Sequence, residues 1–220
     1  MSSLIRYFNV FFAYSRKYGF LEAIKKVYQK LAQLDFNKSY ISHSGIYNPP
    51  ELDRFLCKIK KKKLVKNIES HTVVWIMPTF NKGSGGHTTI FRFAKFLEIA
   101  GFKNLFVIRN GSENSDPKLR SRQGLLDELR ESFYTPINLE IKVFDNNHKL
   151  LDSVNQLKGD VVIGTDIFSQ LITLNCSNFN DRWFFLQDHE ALFKPASTLS
   201  IFADMLLQDK ENKFICAGEW

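Results

Sequence analysis

Residues 73–100 combine a strand, a glycine-rich loop and a helix, and this stretch constrains the fold more strongly than any other. Val73 to Met77 is an uninterrupted apolar run, typical of a strand that a sheet covers on both faces. Pro78 predicts the end of that strand because proline has no N–H group to donate. From His87 onward apolar residues recur at helical spacing, and Gly101 predicts the helix stop.

The loop between this strand and this helix is made by Gly83, Ser84, Gly85, Gly86 and His87. Glycines let a backbone approach a ligand closely, and the free N–H groups of a helix start favour an anion such as a phosphate. We therefore predict that these five residues bind a phosphate group. The alternative is that the glycines only make a tight turn between the strand and the helix.

Strands and helices alternate from residue 71 onward. The patterns predict strands at 73–77, 105–109, 140–144, 160–164, 182–186 and 213–216, and helices at 87–100, 118–132, 147–156, 166–175 and 197–209. Repeated β–α–β units require right-handed crossovers. The sequence therefore predicts an α/β fold with a doubly wound, mostly parallel, Rossmann-like sheet of about six strands.

Polar residues follow several of these strands, at the edge where such sheets bind ligands. They are Arg109 and Asn110 after the second strand, Thr165 and Asp166 after the fourth, and Gln187, Asp188, His189 and Glu190 after the fifth. Polar loops that converge on one edge predict a binding site there. A metal site is not expected, because the potential ligands after the fifth strand are neighbours along the chain and the three cysteines are widely spaced.

Common nucleotide-binding and nucleophile patterns do not fit the loop. The dinucleotide fingerprint would need a glycine where Thr88 stands, and an acidic residue at the end of the second strand. The phosphate-loop pattern of NTPases would need a lysine where His87 stands. A nucleophilic triad lacks a serine elbow to start from.

Positive charge is concentrated in the N-terminal third. Residues 1–70 carry 14 Lys and Arg against 5 Asp and Glu, a net of +9, whereas residues 71–220 carry a net of −2. We therefore predict a basic helical extension with a linker over residues 1–70 and a separate Rossmann-like domain over residues 71–220. Specific binding of nucleic acid by the domain is not expected.

The extension contains amphipathic patterns that leave two interpretations open. Residues 3–16 and 20–34 predict helices with aromatic and basic faces, residues 35–50 predict a linker, and residues 51–66 predict a further helix that includes the run Lys58–Lys63. These helices either bind the surface of an anionic membrane or pack on the domain or on a partner protein. The lysine run is otherwise a solvated face.

The lack of signal-peptide features and the spacing of the cysteines favour a cytoplasmic location. No apolar run reaches the length of about 18 residues that spans a bilayer, and the start lacks the features of a signal peptide. Three separated cysteines fit a reducing compartment. We expect a cytoplasmic protein, located at the inner face of the membrane if the extension binds lipid.

Three strings in residues 71–220 resemble one enzyme group. The string G-S-G-G-H-T-T-I-F-R at residues 83–92, directly after a strand, resembles the N-terminal domain of GT-B fold glycosyltransferases. More narrowly, it resembles the family 4-like retaining enzymes that include rhamnosyltransferases of surface polysaccharide assembly. The strand running into Q-D-H-E at residues 183–190, and the closing segment at residues 214–220, are similar to the same group.

This resemblance implies transfer of a sugar from a nucleotide-sugar to a glycan acceptor in polysaccharide or cell-surface glycan synthesis, without a further cofactor. The N-terminal domain of such enzymes mostly holds the acceptor, and its glycine loop lies near the donor diphosphate. Gly85 and Gly86 would then offer N–H groups to the phosphate, with His87 at the helix start. Gln187 stands where the family often has a histidine near the sugar, and His189 follows two residues later.

The resemblance also implies roles for the other polar residues. The acceptor-binding candidates are Arg109, Asn110, Thr165, Asp166 and Gln187, and the candidates for a catalytic role are Asp188, His189 and Glu190. The C-terminal donor domain of the family has no counterpart in the sequence. We therefore expect a truncated enzyme, or one that needs a separate donor-domain subunit and has little activity alone.

Two alternatives to a glycosyltransferase remain. The first is a non-catalytic module that sits on a membrane surface and binds a glycan or a partner enzyme. The second is a nucleotide-binding enzyme of another class, such as a methyltransferase or a reductase, which the glycine loop permits.

Overall fold

We describe the fold from a computed structural model of the chain. It describes residues 49–66, 69–80, 84–110, 121–132, 139–187, 198–209 and 211–216. The chain divides into two compact units, Met1–Lys60 and Lys61–Trp220. In the first unit, helix α1 spans Pro49–Lys58. Its two leading prolines, which the sequence placed in a linker, suit a first helical turn because the N–H groups there have no intrahelical acceptor.

The second unit alternates strands and helices in the predicted order. Its strands are β1 (Thr72–Pro78), β2 (Lys103–Arg109), β3 (Leu139–Phe144), β4 (Gly159–Gly164), β5 (Phe179–Leu186) and β6 (Lys213–Cys216). Its helices are α2 (Gly85–Ile99), α3 (Arg122–Ser132), α4 (Asn147–Ser153), α5 (Ile167–Leu174) and α6 (Thr198–Gln208), with a 3₁₀ turn at Val154–Gln156. Each predicted strand and helix of this unit is confirmed, with ends that differ by a few residues.

All six strands form one parallel sheet in the order β3-β2-β1-β4-β5-β6. The predicted Rossmann-like, doubly wound α/β fold is therefore confirmed. Strand β1 lies between β2 and β4, and the direction in which strands are added to the sheet reverses there. This reversal is the topological switch point, at which such sheets open a crevice beyond the carboxyl ends of their strands.

Strand β1 forms the centre of the core, as its apolar sequence predicts. Val73 to Met77 are at most 2% exposed. The Trp75 ring stacks on Phe106 of β2 with 6.0 Å between centroids, and its Nε1–H donates to Asn104 Oδ1 at 3.0 Å. The Asn104 amide donates in turn to the Ala94 carbonyl at 2.9 Å. This satisfied polar pair links β1, β2 and α2 inside an otherwise apolar layer.

Helix α2 ends where the glycine predicts. Gly101 has φ of 91°, a conformation that only glycine adopts at no steric cost. Its N–H donates to the Glu98 carbonyl at 2.9 Å, and the Phe102 N–H donates to the Leu97 carbonyl at 2.9 Å. The chain is thereby turned directly into β2.

Arg182 of β5 is buried, at 7% exposure, and terminates helix α5. Its Nε–H donates to the Thr173 carbonyl at 2.8 Å, and its Nη2 donates to the carbonyls of Leu174 at 3.2 Å, Cys176 at 3.0 Å and Lys62 at 3.1 Å. Burial lowers the pKa of Arg182. The carbonyls of a helix C-terminus compensate for this because they carry partial negative charge.

The segment after α1 is held against the end of α5 by backbone hydrogen bonds. The Lys62 N–H donates to the Leu174 carbonyl at 2.9 Å, and the Val65 N–H donates to the Ser177 carbonyl at 2.7 Å. The prediction of a helix over residues 51–66 is therefore wrong beyond Lys58. The like charges of the lysine run disfavour a helix, and these N–H groups bond to acceptors elsewhere in the unit.

Two lysines of the basic run form side-chain contacts within the second unit. Lys61 Nζ lies 2.5 Å from Asp209 Oδ2 and 2.7 Å from Glu211 Oε2, and Lys62 Nζ donates to Asn155 Oδ1 at 2.6 Å. Lys58, Lys60 and Lys63 are exposed, so the rest of the run is the expected solvated face. The lipid contact stays a prediction. Among the described residues, no helix has both the length and the apolar composition to cross a bilayer. The helices predicted at 3–16 and 20–34 lie outside the described residues.

The Arg182 cap gives a stability prediction. Arg182→Met should lower the free energy of unfolding by about 3 kcal/mol, because it removes a charged donor from four carbonyls, of which Thr173 and Leu174 keep one backbone donor each. Urea unfolding followed by circular dichroism measures the loss. Lys213→Met is the matched control, because Lys213 pairs with Asp181 at 2.7 Å at a more exposed site and should cost at most about 1 kcal/mol. Similar losses in the two variants would contradict the capping role.

Candidate functional site

Asp166 lies at the carboxyl end of β4, beside the switch point, and begins helix α5. Its backbone is extended, and its Oδ1 accepts the Ser169 N–H at 3.1 Å, which makes it the N-cap. The preceding Thr165 is buried, and its N–H donates to the Ile76 carbonyl of β1 at 3.2 Å. Thr165 therefore continues the pairing of β1 with β4 and brings Asp166 to the edge of the crevice.

Arg109, the last residue of β2, is committed to a buried network around Asp166. Its Nη2 forms an ion pair with Asp166 Oδ2, its Nη1 donates to Asn147 Oδ1 at 3.3 Å, and its Nε donates to Ser169 Oγ at 3.4 Å. The guanidinium lies over the Phe168 ring, 5.2 Å from the centroid. Arg109 is 5% exposed, whereas the Asp166 side chain is 20% exposed. Asp166 is thus the member of the pair that reaches the crevice.

His87 lies in the first turn of α2, close enough to Asp166 for the carboxylate to affect the pKa of the imidazole. Its Nδ1 lies 2.7 Å from Ser84 Oγ, and the Ser84 hydroxyl makes no bond to the backbone of the helix that it precedes. Burial lowers the pKa of His87 to about 4, an effect that the nearby Asp166 carboxylate opposes. The imidazole is therefore neutral at pH 7, so that it can both donate and accept a hydrogen bond.

Gly86 has a packing role that the sequence did not reveal. A Cβ atom at Gly86 would lie 1.6 Å from Gln187 Oε1, so the carboxamide of Gln187 rests directly on the glycine backbone. A Cβ atom at Gly85 would meet no atom within 4 Å. The two neighbouring glycines thus differ: Gly86 admits a side chain from the end of β5, and Gly85 lies open.

The structure places most of the described candidate residues at the carboxyl edge of the sheet and brings several of them into contact. Ser84 contacts His87, Arg109 pairs with Asp166, and Gly86 lies against Gln187, while Gly85 adjoins this last contact and Thr165 pairs with β1. Asn110 is buried one strand farther away, where its N–H donates to the Phe144 carbonyl of β3 at 2.7 Å. The other candidates, Gly83, Asp188, His189 and Glu190, lie outside the described residues.

Sequence reasoning missed the residues that hold Arg109 in place, namely Asn147, Phe168 and Ser169. Ser169 follows Asp166 by three residues, a spacing typical of an N-cap and its first turn, and this signal was present in the sequence. Asn147 gave no signal, because its partner comes from β2. In the described part of the chain, His, Cys, Asp and Glu side chains form no group that could hold a metal ion.

The two glycines give a matched pair of variants. Gly85→Ala should raise the free energy of unfolding by about 0.4 to 1 kcal/mol, because it restricts the unfolded chain without a clash. Gly86→Ala should be less stable than Gly85→Ala by at most about 1 kcal/mol, because the new methyl group makes the flexible end of Gln187 turn away. Urea unfolding measures both. In a Gln187→Ala background the difference should vanish, and its persistence would refute the contact.

The low pKa of His87 predicts a loss of stability in acid. The unfolded chain takes up a proton near pH 6.5, whereas the folded chain does so only near pH 4. The contribution of neutral His87 to the free energy of unfolding is therefore complete above pH 6.5. It falls as the pH drops toward 4, by up to about 1.4 kcal/mol per pH unit. His87→Gln should remove this part of the pH dependence of the free energy of unfolding. Parallel curves for the two proteins would contradict a buried neutral imidazole.

Comparisons with known proteins add no relative to this description. No protein-family model, no curated protein and no solved structure gives a significant match to this chain.

Proposed function

We propose that the second unit, Lys61–Trp220, is the acceptor-side domain of a nucleotide-sugar-dependent glycosyltransferase that acts in polysaccharide or cell-surface glycan synthesis. The observation that carries the proposal is the set of hydroxyl, imidazole, carboxylate and amide groups that lie at the carboxyl edge of a parallel sheet, beside its switch point. The proposal also draws on the resemblance of residues 83–92 and 183–190 to GT-B enzymes.

The chemistry of the crevice fits a neutral sugar. Ser84, His87, Asp166 and Gln187 are each partly exposed, and together they offer both donors and acceptors of hydrogen bonds. Sugar hydroxyls need both, because each hydroxyl donates one hydrogen bond and accepts others. Arg109 uses donors on all three of its guanidinium nitrogens for Asp166, Asn147 and Ser169, which leaves this side of the crevice suited to hydroxyls more than to an anion.

The start of α2 is the place for a donor phosphate in this proposal. Gly85 has open space where its side chain would be, and the Ser84 hydroxyl leaves the first N–H groups of the helix uncapped. Such N–H groups favour an anion when one is brought to them. The resemblance implies that a second domain or subunit holds the nucleotide. The catalytic candidates Asp188, His189 and Glu190 remain a prediction.

Binding of simple ligands to the full chain tests the proposal. We expect saturable, millimolar binding of neutral methyl pyranosides, measured by the movement of NMR resonances from residues 84–87 and 166–169. Asp166→Asn should weaken this binding about tenfold, because it removes the charged acceptor yet preserves the helix cap. Asp181→Asn is the control, because Asp181 pairs with Lys213 on β6, away from the switch point.

The same titration with nucleoside diphosphates tests the phosphate part separately. We expect movement of the Gly85 and Gly86 amide resonances that is weaker for Gly85→Ala, whose methyl group enters the open space. No binding of any pyranoside or diphosphate, in a chain shown to be folded, would refute the proposal and favour a non-catalytic partner-binding module.

A further inference from the structure

The hydrogen-bond capacity of the Asp166 carboxylate is not exhausted by the protein. A carboxylate offers about four acceptor positions, two on each oxygen. The described residues fill three: Oδ1 accepts the Ser169 N–H and the Ser169 hydroxyl, and Oδ2 accepts Arg109 Nη2. One acceptor position on Oδ2 remains, on a side chain that is 20% exposed.

Arg109 fixes where that open position points. Its planar guanidinium is held at Nη1 by Asn147 Oδ1 at 3.3 Å, at Nε by Ser169 Oγ at 3.4 Å, and on its face by Phe168. A fork that is held at three points cannot turn about its own axis, so its bond to Oδ2 locks the carboxylate plane. Arg109 itself is too deeply buried to reach a ligand.

We propose that Arg109 is a positioning residue that directs Asp166 Oδ2 toward one hydroxyl of a neutral sugar, and that Asp166 thereby selects neutral sugars over acidic ones. This inference rests on the proposed function, because it names the ligand class of the same crevice. A hydroxyl supplies the one proton that Oδ2 still accepts. A sugar carboxylate in the same place has no proton to give, so that two acceptors face each other and the hydrogen bond is lost.

Matched sugar pairs test the selectivity. Methyl glucoside and methyl galactoside are titrated into the full chain beside the corresponding methyl uronides at pH 7. The wild-type chain should bind the better neutral sugar at least about tenfold more tightly than its uronide, and Asp166→Asn should reduce that ratio to about threefold or less. A ratio near one in the wild type, or the same ratio in both proteins, overturns the assignment of Asp166.

Conservative variants test the positioning role. Arg109→Lys keeps the positive charge but loses the fork, so it should weaken binding of the neutral sugar about tenfold, as Asp166→Asn does. Ser169→Ala removes one support of the fork and should weaken it about threefold. The control is Arg130→Lys, because Arg130 pairs with Asp127 at 3.3 Å on the exposed face of α3. Unchanged sugar binding in a folded Arg109→Lys or Ser169→Ala chain overturns the proposal.

The ring resonances of His87 give a readout that needs no ligand. The Asp166 carboxylate raises the pKa of His87 against the effect of burial. Asp166→Asn should therefore lower that pKa, and Arg109→Lys should lower it as well if Arg109 holds the carboxylate in place. An unchanged His87 titration in Arg109→Lys overturns the positioning role. A lowered pKa without sugar binding by the wild type would uphold the geometry and refute the proposed function.

Discussion

The reversal of strand order at β1 is the constraint on which the rest of this structure depends. Because β1 pairs with β2 on one side and β4 on the other, the segments that follow β1 and β4 leave the sheet in opposite directions. The crevice between them is therefore a product of connectivity, and it would exist whatever residues lined it. What this sequence adds is a carboxylate at the start of α5 and an imidazole at the start of α2, and the carboxylate raises the pKa of the imidazole.

The hydrogen-bond network around Arg109 stabilises a carboxylate in a partly buried, low-dielectric environment. An isolated carboxylate at this depth would lose much of its solvation, and the Arg109 guanidinium compensates for it from the protein side. The arginine is compensated in turn by Asn147, Ser169 and the Phe168 ring, which come from α4 and α5. The exposed edge of one carboxylate thus depends on three elements of secondary structure, although none of those supporting residues reaches the solvent side of the crevice.

Fold and site differ in how far the sequence predicts them, for a physical reason. Burial on two faces requires continuous apolar runs, so the central strands β1 and β2 were visible as runs, and Gly101 marked a helix end through its backbone conformation. The order of strands along the chain predicted the edge of the sheet at which Asp166 and Gln187 lie. It did not predict which side chains pair, because Arg109 could have contacted a ligand instead of pairing with Asp166. The capping role of Arg182 could not be predicted either, since a lone arginine in a strand does not indicate that it will cap a helix.

The contact between Gly86 and the Gln187 carboxamide limits which substitutions this chain can accept. The residue at position 86 depends on the side chain at position 187. Position 86 can accept a methyl group only if residue 187 is smaller or if its side chain turns away. Substitutions at the two positions should therefore arise as pairs. Gly85 has no such packing constraint, because a Cβ atom there would meet no atom within 4 Å. Two adjacent glycines that look like one motif would then be under different packing constraints, and the constraint on Gly86 comes from Gln187, 101 residues later in the chain.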